Sequence, residues 1–397
     1  MTDVRNEDDA AIGERTRTFD YHDHRLDGIF DEYRWLHERC PVGRSEELGG
    51  FAFLAKLDDI FAAEQDPETF SVAPSMLLPP FATDDPLIPI DIDPPAHGPY
   101  RKILLPAFTP RRIADLTPGM RDTARELAQA CVDAGTADVA ATFCLPFPLI
   151  VFSRLCGFPE EDWPRFGRWL HDIIYERLTD PPRARASGDE LRAYFDELLR
   201  RKAQEPRRED LISVLLDAEV EGRGLTHAEL ISYCYLLFLA GLDTAAWSIR
   251  SGLRYLGLHP EAQAQLRDDP SLVPAAAEEV LRTMSPVQGM ARTCVRDTVV
   301  RGQEIRAGER VVLLFGAGNR DPEAFEDPDE IRFDREKNRH LAFGGGIHRC
   351  LGSNLGRREL VVALEEFLAT TPWFRCTDPE QPWFGVGPLT LEFTERP

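Results

Sequence analysis

The chain has 397 residues, with 46 Lys or Arg against 68 Asp or Glu, for a formal charge of −22. Hydrophobic residues make up 43% and charged residues 29%, enough apolar material for a packed core, which excludes a disordered or collagen-like chain. So negative a balance repels phosphate and anionic lipid, which excludes nucleic acid and a membrane surface as main partners except where basic residues cluster.

The first 20 residues are polar and acidic, lack the apolar run of a secretory signal, and are expected to form a mobile tail. Residues 21–397 are expected to form one domain, because no Gly/Ser linker, low-complexity run or repeat divides them. Apolar residues at helical spacing predict helices over Leu26–His37, Pro110–Ala134, Phe143–Cys156, Glu161–Ile174, Asp189–Lys202, Asp210–Ala218, His227–Leu258, Pro274–Met284 and Ser353–Thr370. The middle of His227–Leu258 is apolar on every face and must cross the interior of a large domain. Short strands are expected at Gly50–Ala55, Thr293–Val300, Arg310–Leu314 and Thr390–Thr394. The pattern is mainly α with small β-sheets, not doubly wound α/β. Between them, Gly318–Asn338 contains Pro322, Pro328 and many charges but little periodicity, and so long an irregular connection usually has a job.

The longest apolar stretch, around Leu236–Leu242, falls far short of the roughly 20 residues that cross a bilayer, so no spanning helix is expected and the cytoplasm is the expected location. Thiols stay reduced there. None of the eight cysteines forms a C-x-x-C pair, which argues against zinc ribbons and iron-sulfur clusters. Seven read as core residues; Cys350 stands apart.

Cys350 lies in Phe343-Gly344-Gly345-Gly346-Ile347-His348-Arg349-Cys350-Leu351-Gly352, directly before a predicted helix. Glycines permit close backbone approaches, and a helix N-terminus favours a thiolate. Taken alone, the run is equally a glycine-rich turn with a core cysteine, or an anion nest. As a whole it resembles the heme-ligand signature of the cytochrome P450 superfamily, F-G-x-G-x-H/R-x-C-x-G, at every defined position. The resemblance implies the fold of that family, with heme b between the long central helix and the cysteine loop. Cys350 would be the axial thiolate on the iron, Phe343 its shield, and Gly344, Gly346 and Gly352 the residues that let the loop lie close.

Further segments extend the resemblance over nearly the whole chain. Ala240-Gly241-Leu242-Asp243-Thr244 is similar to the family's oxygen-activation segment, in which Asp243 and Thr244 would relay protons and Gly241 leave room for dioxygen; alone, it is a tightly packed helix interior. Glu279-Val280-Leu281-Arg282 resembles the family's E-x-x-R helix, completed by Arg332 or Arg335; alone, it is a solvated ion pair. His97, Arg101, Arg292 and His348 match the positions that hold the heme propionates. The pieces LIPIDIDPPAHGPYRKILLPAFTP and LPFPLIVFSRLCGFPEEDW resemble soluble bacterial members, most nearly the camphor-hydroxylase neighbourhood.

For the substrate wall the sequence suggests Leu87, Leu236, Leu239, Ala240 and Val287, with Gln288 as a polar contact, which suits a terpenoid, aromatic or fatty acid. No flavin fingerprint or cysteine cluster supplies electrons, so a ferredoxin with its NAD(P)H-dependent reductase is expected, docking on Arg111, Arg112, Arg349, Arg357 and Arg358. The expected function is a heme-thiolate monooxygenase using dioxygen. A peroxide-driven oxygenase and a non-catalytic heme sensor are the competing readings.

Overall fold

The computed structural model describes residues 12–22, 28–81, 83, 85–135, 137–378 and 387–395. Its main helices are α1 (Ile29–Arg39), α2 (Leu57–Glu64), α3 (His97–Leu104), α4 (Pro110–Ala134), α5 (Pro146–Cys156), α6 (Trp163–Ile174), α7 (Pro181–Gln204), α8 (Leu211–Leu216), α9 (His227–Leu258), α10 (Pro260–Asp268), α11 (Val273–Met284) and α12 (Ser353–Thr370). Local chemistry fixes their ends. Thr226 caps α9: its hydroxyl accepts from the Glu229 amide, and the Glu229 carboxylate accepts from the Thr226 amide, a reciprocal capping box. The left-handed Gly157 ends α5. Helix α7 starts at Pro181, not at Asp189, because Asp180 accepts from the Arg183 amide at 3.2 Å and Pro181 suits the first turn. The unpredicted α2 and α10 span 8 and 9 residues, too few turns for a clear period.

One sheet combines β1 (Val42–Ser45), β2 (Phe51–Leu54), β3 (Phe70–Ser71), β4 (Met290–Cys294) and β5 (Arg310–Leu313) in the order β1-β2-β5-β4-β3. Only the β2/β5 pairing is parallel, with Phe53 opposite Val312. A second joins β6 (Trp373–Cys376) and β7 (Thr390–Thr394) to Ala137–Asp138. The expected architecture, mainly helical with small sheets, is the one observed.

Helix α9 runs through the core, packed by α5, α7, α11 and α12, while α12 also lies along α4. Contrary to the sequence expectation, α9 is long and apolar enough to cross a membrane, with a mean hydropathy of 1.4 over its most apolar stretch. Of that stretch 67% is buried inside the molecule, so its apolar faces are covered by other helices.

Of the expected amino-terminal tail, the structure describes residues 12–20. Residues 12–17 are helical, Thr16 and Phe19 are buried, and the Phe19 ring meets Phe53 at 5.3 Å between centroids. Burial of an aromatic ring against the sheet fixes this stretch in place. Residues 1–11 and the predicted helix start at Leu26 lie outside the described residues.

Candidate active site

The cysteine loop is shaped by its glycines. Gly344 and Gly346 have φ of +59° and +55°, the left-handed region that favours glycine. A Cβ on Gly346 would come within 1.9 Å of the Glu64 carbonyl oxygen, and one on Gly345 within 2.7 Å of Glu64 Oε2. The loop therefore lies directly on the C-terminal end of α2. The Cys350 amide donates to the Phe343 carbonyl at 2.8 Å, which closes the loop just before α12. Cys350 is exposed to the cavity, and the protein packed around it pushes its thiol up, opposed by the Gly352 amide and by Arg101, Arg349 and Arg357. A cation bound at the sulfur would favour the thiolate.

Cys350, Phe343, Gly344, His348 and Gly352 form one wall of a cavity, and Leu236, Ala240 and Thr244 of α9 form another. The polar groups collect at one edge. His97 and His348 face each other with ring centroids 4.2 Å apart, each with a buried Nε2 that finds no hydrogen-bond partner among the described residues. Burial holds both imidazoles neutral, that of His348 down to about 3, helped by His97, Arg292 and Arg101. Arg101 lines the same edge and donates to the Arg349 carbonyl. Orphaned donors and an arginine at one rim of an apolar slot, with a thiol on its floor, fit a heme whose carboxylates need partners there. Arg292 does not itself line the cavity; its Nη2 donates to Glu64 Oε1, a wall residue, at 3.0 Å. Sequence reasoning missed Glu64, because a lone acid at the end of a short helix carries no pattern.

On α9, Thr244 lines the cavity and its hydroxyl donates to the Ala240 carbonyl at 3.2 Å. Asp243 does not line it; its Oδ1 accepts from the Tyr175 hydroxyl at 2.9 Å, just past α6. Burial pushes the Asp243 carboxyl up, opposed by Tyr175, Arg177 and His171. Tyr175 was not foreseen, since no motif surrounds it. Gly241 has a packing reason of its own: a Cβ there would lie 2.4 Å from the Phe152 ring.

Glu279 and Arg282 are buried, not solvated. Arg282 Nε and Nη2 donate to the two Glu279 oxygens at 2.8 and 2.9 Å. The choice between Arg332 and Arg335 resolves into two roles. Arg335 Nε donates to Glu279 Oε1 at 3.0 Å, whereas Arg332 contributes only its backbone amide, at 2.9 Å, and turns its side chain to Glu326, Asp327 and Asp334. Arg282 also donates to the carbonyls of Asn319, Pro328 and Glu330. The pair thereby anchors the irregular segment, satisfying backbone groups that no helix or strand serves.

Of the suggested substrate residues, Leu236, Ala240 and Val287 line the cavity. Leu87 and Leu239 do not; both are buried in the helical core. Gln288 is also off the wall, because its amide is consumed internally: Tyr33 donates to it at 2.7 Å and it donates to the Met284 and Ser285 carbonyls. Met76, Pro89, Ile90 and Met290 complete an apolar lining. In the arginine patch, Arg111, Arg349 and Arg358 are exposed. Arg112 is 3.7 Å from Glu209. Arg357 is committed to the fold, lying 4.4 Å over the Phe343 ring and donating to Glu278 at 2.7 Å.

Comparison with known proteins places this geometry. The cytochrome P450 family model matches residues 182–382. The mycinamicin IV hydroxylase/epoxidase of Micromonospora griseorubida is 35% identical over 91% of this chain and 92% of its own. The steroid C26-monooxygenase of Mycolicibacterium smegmatis is 32% identical over 88% and 87%. Among solved structures, the bottromycin biosynthetic protein SalCYP superposes with a TM-score of 0.85 at 30% identity, covering 95% of each chain.

Proposed function

The chain belongs to the cytochrome P450 family and is a monooxygenase of that family, and from that premise we propose that it hydroxylates, epoxidises or O-dealkylates a small, mostly apolar molecule in the cytoplasm, with electrons from a ferredoxin and its NAD(P)H-dependent reductase. The observation that carries the reading is a single apolar cavity with the Cys350 thiol in one wall and the Thr244 hydroxyl in another.

Cys350 would hold the iron of heme b and His97, Arg101 and His348 its carboxylates, and the bound group would supply the chemistry that activates dioxygen. The chain's own residues do the rest. The glycine loop presents the Cys350 sulfur with the Gly352 amide beside it. Thr244 Oγ1 lines the cavity and, with its own proton donated to the Ala240 carbonyl, offers an acceptor there, one residue from Asp243. Burial raises the affinity of the Asp243 carboxylate for a proton, the direction required of a group that passes protons near neutral pH, and Tyr175 holds it in place. Leu236, Ala240, Val287 and Met290 exclude water and select an apolar substrate. The steroid in the name of one relative is a molecule of that class.

The acid-alcohol pair favours dioxygen over a peroxide-driven route. Thr244→Ala should therefore lower product formed per dioxygen consumed by at least about tenfold, within the roughly 10²–10⁴-fold that a positioned proton-transfer group contributes to rate, with the missing oxygen appearing as peroxide. Full coupling in that variant contradicts the relay.

A further inference from the structure

Glu64 is a carboxylate in the cavity wall that the reading above leaves unused. Its side chain is only 2% exposed, and that of Arg292 3%. Glu64 Oε1 accepts from Arg292 Nη2 at 3.0 Å, while Arg292 Nη1 donates to the Ala291 carbonyl. Glu64 Oε2 faces Gly345 and has no hydrogen-bond partner among the described residues. A buried carboxylate is costly unless paired, and this one pairs with Arg292 through one oxygen while the other is turned toward the Gly345 amide of the cysteine loop, which favours its charged form. The acid also explains a residue the signature leaves open: any side chain at Gly345 would collide with Oε2, 2.7 Å from the Cβ position. Glu64, Arg292 and Gly345 thus form one unit joining α2, β4 and the loop that presents Cys350.

The arginine expected to serve a heme carboxylate thereby carries a buried counter-charge. We propose that Glu64 is a positioning residue whose carboxylate offsets the Arg292 charge beside the bound heme, holding the reduction potential below the value that Arg292 alone would set. This rests on the heme reading above. A buried anion opposes addition of an electron nearby.

The test is the ferric/ferrous midpoint potential of the substrate-free holoprotein, measured by spectroelectrochemistry. Glu64→Gln keeps the shape and the acceptor for Arg292 but removes the charge; Glu64→Asp keeps the charge. Glu64→Gln should shift the potential upward, by on the order of tenfold in the equilibrium constant for reduction. Glu64→Asp should stay near wild type, and so should the double variant Glu64→Gln with Arg292→Gln. Equal potentials for wild type and Glu64→Gln, or equal shifts for the Gln and Asp variants, overturn the proposal. If Glu64→Gln holds no heme, Arg292→Gln is compared with the double variant: a higher potential in the double variant supports the proposal, and equality overturns it. A wild type that binds no heme at all removes the underlying reading, an outcome seen before any variant is compared.

Discussion

Glu279 shows how the same residue type changes value with burial. Its carboxylate accepts from Arg282, Arg335, Asn338 and the Arg332 amide. Burial pushes the carboxyl up, yet these partners, led by Arg282, hold it below the usual carboxylate range. Glu279→Gln leaves the fully buried Arg282 guanidinium without its counter-charge and should cost about 3–5 kcal/mol in denaturant unfolding. Arg332→Ala removes only surface ion pairs and keeps the amide that Glu279 uses, so it should cost under about 1 kcal/mol. Similar losses for the two variants would contradict the assignment. The Glu279-Arg282 pair was legible as a motif, but the partition between Arg332 and Arg335 was not. Arg335 and Arg332 are three positions apart in an irregular segment, where no period says which side chain turns inward. Gln288 was misread for a related reason: its amide is spent on Tyr33 and on two carbonyls at the end of α11, contacts that sequence spacing does not reveal.

At the scale of elements, the cysteine loop is held by a clamp that reaches across α11, the loop and α12. Glu278 of α11 accepts from His340 at 3.0 Å and from Arg357 of α12 at 2.7 Å. His340 Nδ1 accepts from the Ala342 amide at 3.2 Å, so its Nε2 carries the proton given to Glu278. Burial pushes the Glu278 carboxyl up, but His340 and Arg357 prevail and hold it at about 2, against an ordinary 4.5. A carboxyl depressed in the folded state stabilises fully above the unfolded value and loses that contribution as pH falls. The stability gap between wild type and Glu278→Gln should therefore be widest above pH 4.5 and narrow as pH falls toward 2. Thermal melts across that window check it, and a constant gap would contradict the clamp. Long helices such as α4, α9 and α12 were legible to their ends, because many turns of apolar periodicity agree, with Thr109 and Thr226 capping the first two. Short α2 was not, although it carries Glu64 against the cysteine loop.

Across the whole molecule, a net charge of −22 makes local basic surface informative. Arg358 at the start of α12 is exposed and close in sequence to Cys350, whereas Arg357 is tied to Glu278 and Phe343. If an acidic ferredoxin docks here, Arg358→Glu should slow reduction at low salt by about tenfold, with the difference shrinking as ionic strength rises. Stopped-flow reduction at two salt concentrations measures this, and a rate unaffected by the substitution at low salt contradicts the docking site. The family and its helical architecture were readable from a handful of motifs because the cysteine loop, the acid-alcohol pair and the Glu-Arg helix each impose local chemistry. The cavity lining was only half readable. Leu236, Ala240 and Val287 reach the cavity, while Leu87 and Leu239 pack into the core, and aliphatic side chains look alike until packing decides between the two.

The central claim is that Cys350 binds heme iron as a thiolate. Carbon monoxide added to the reduced protein tests it most directly. The account predicts the long-wavelength Soret band of a thiolate-bound heme, lost in Cys350→His. A band at the shorter wavelength of a histidine-ligated heme in the wild-type protein, or no heme band at all, would contradict it.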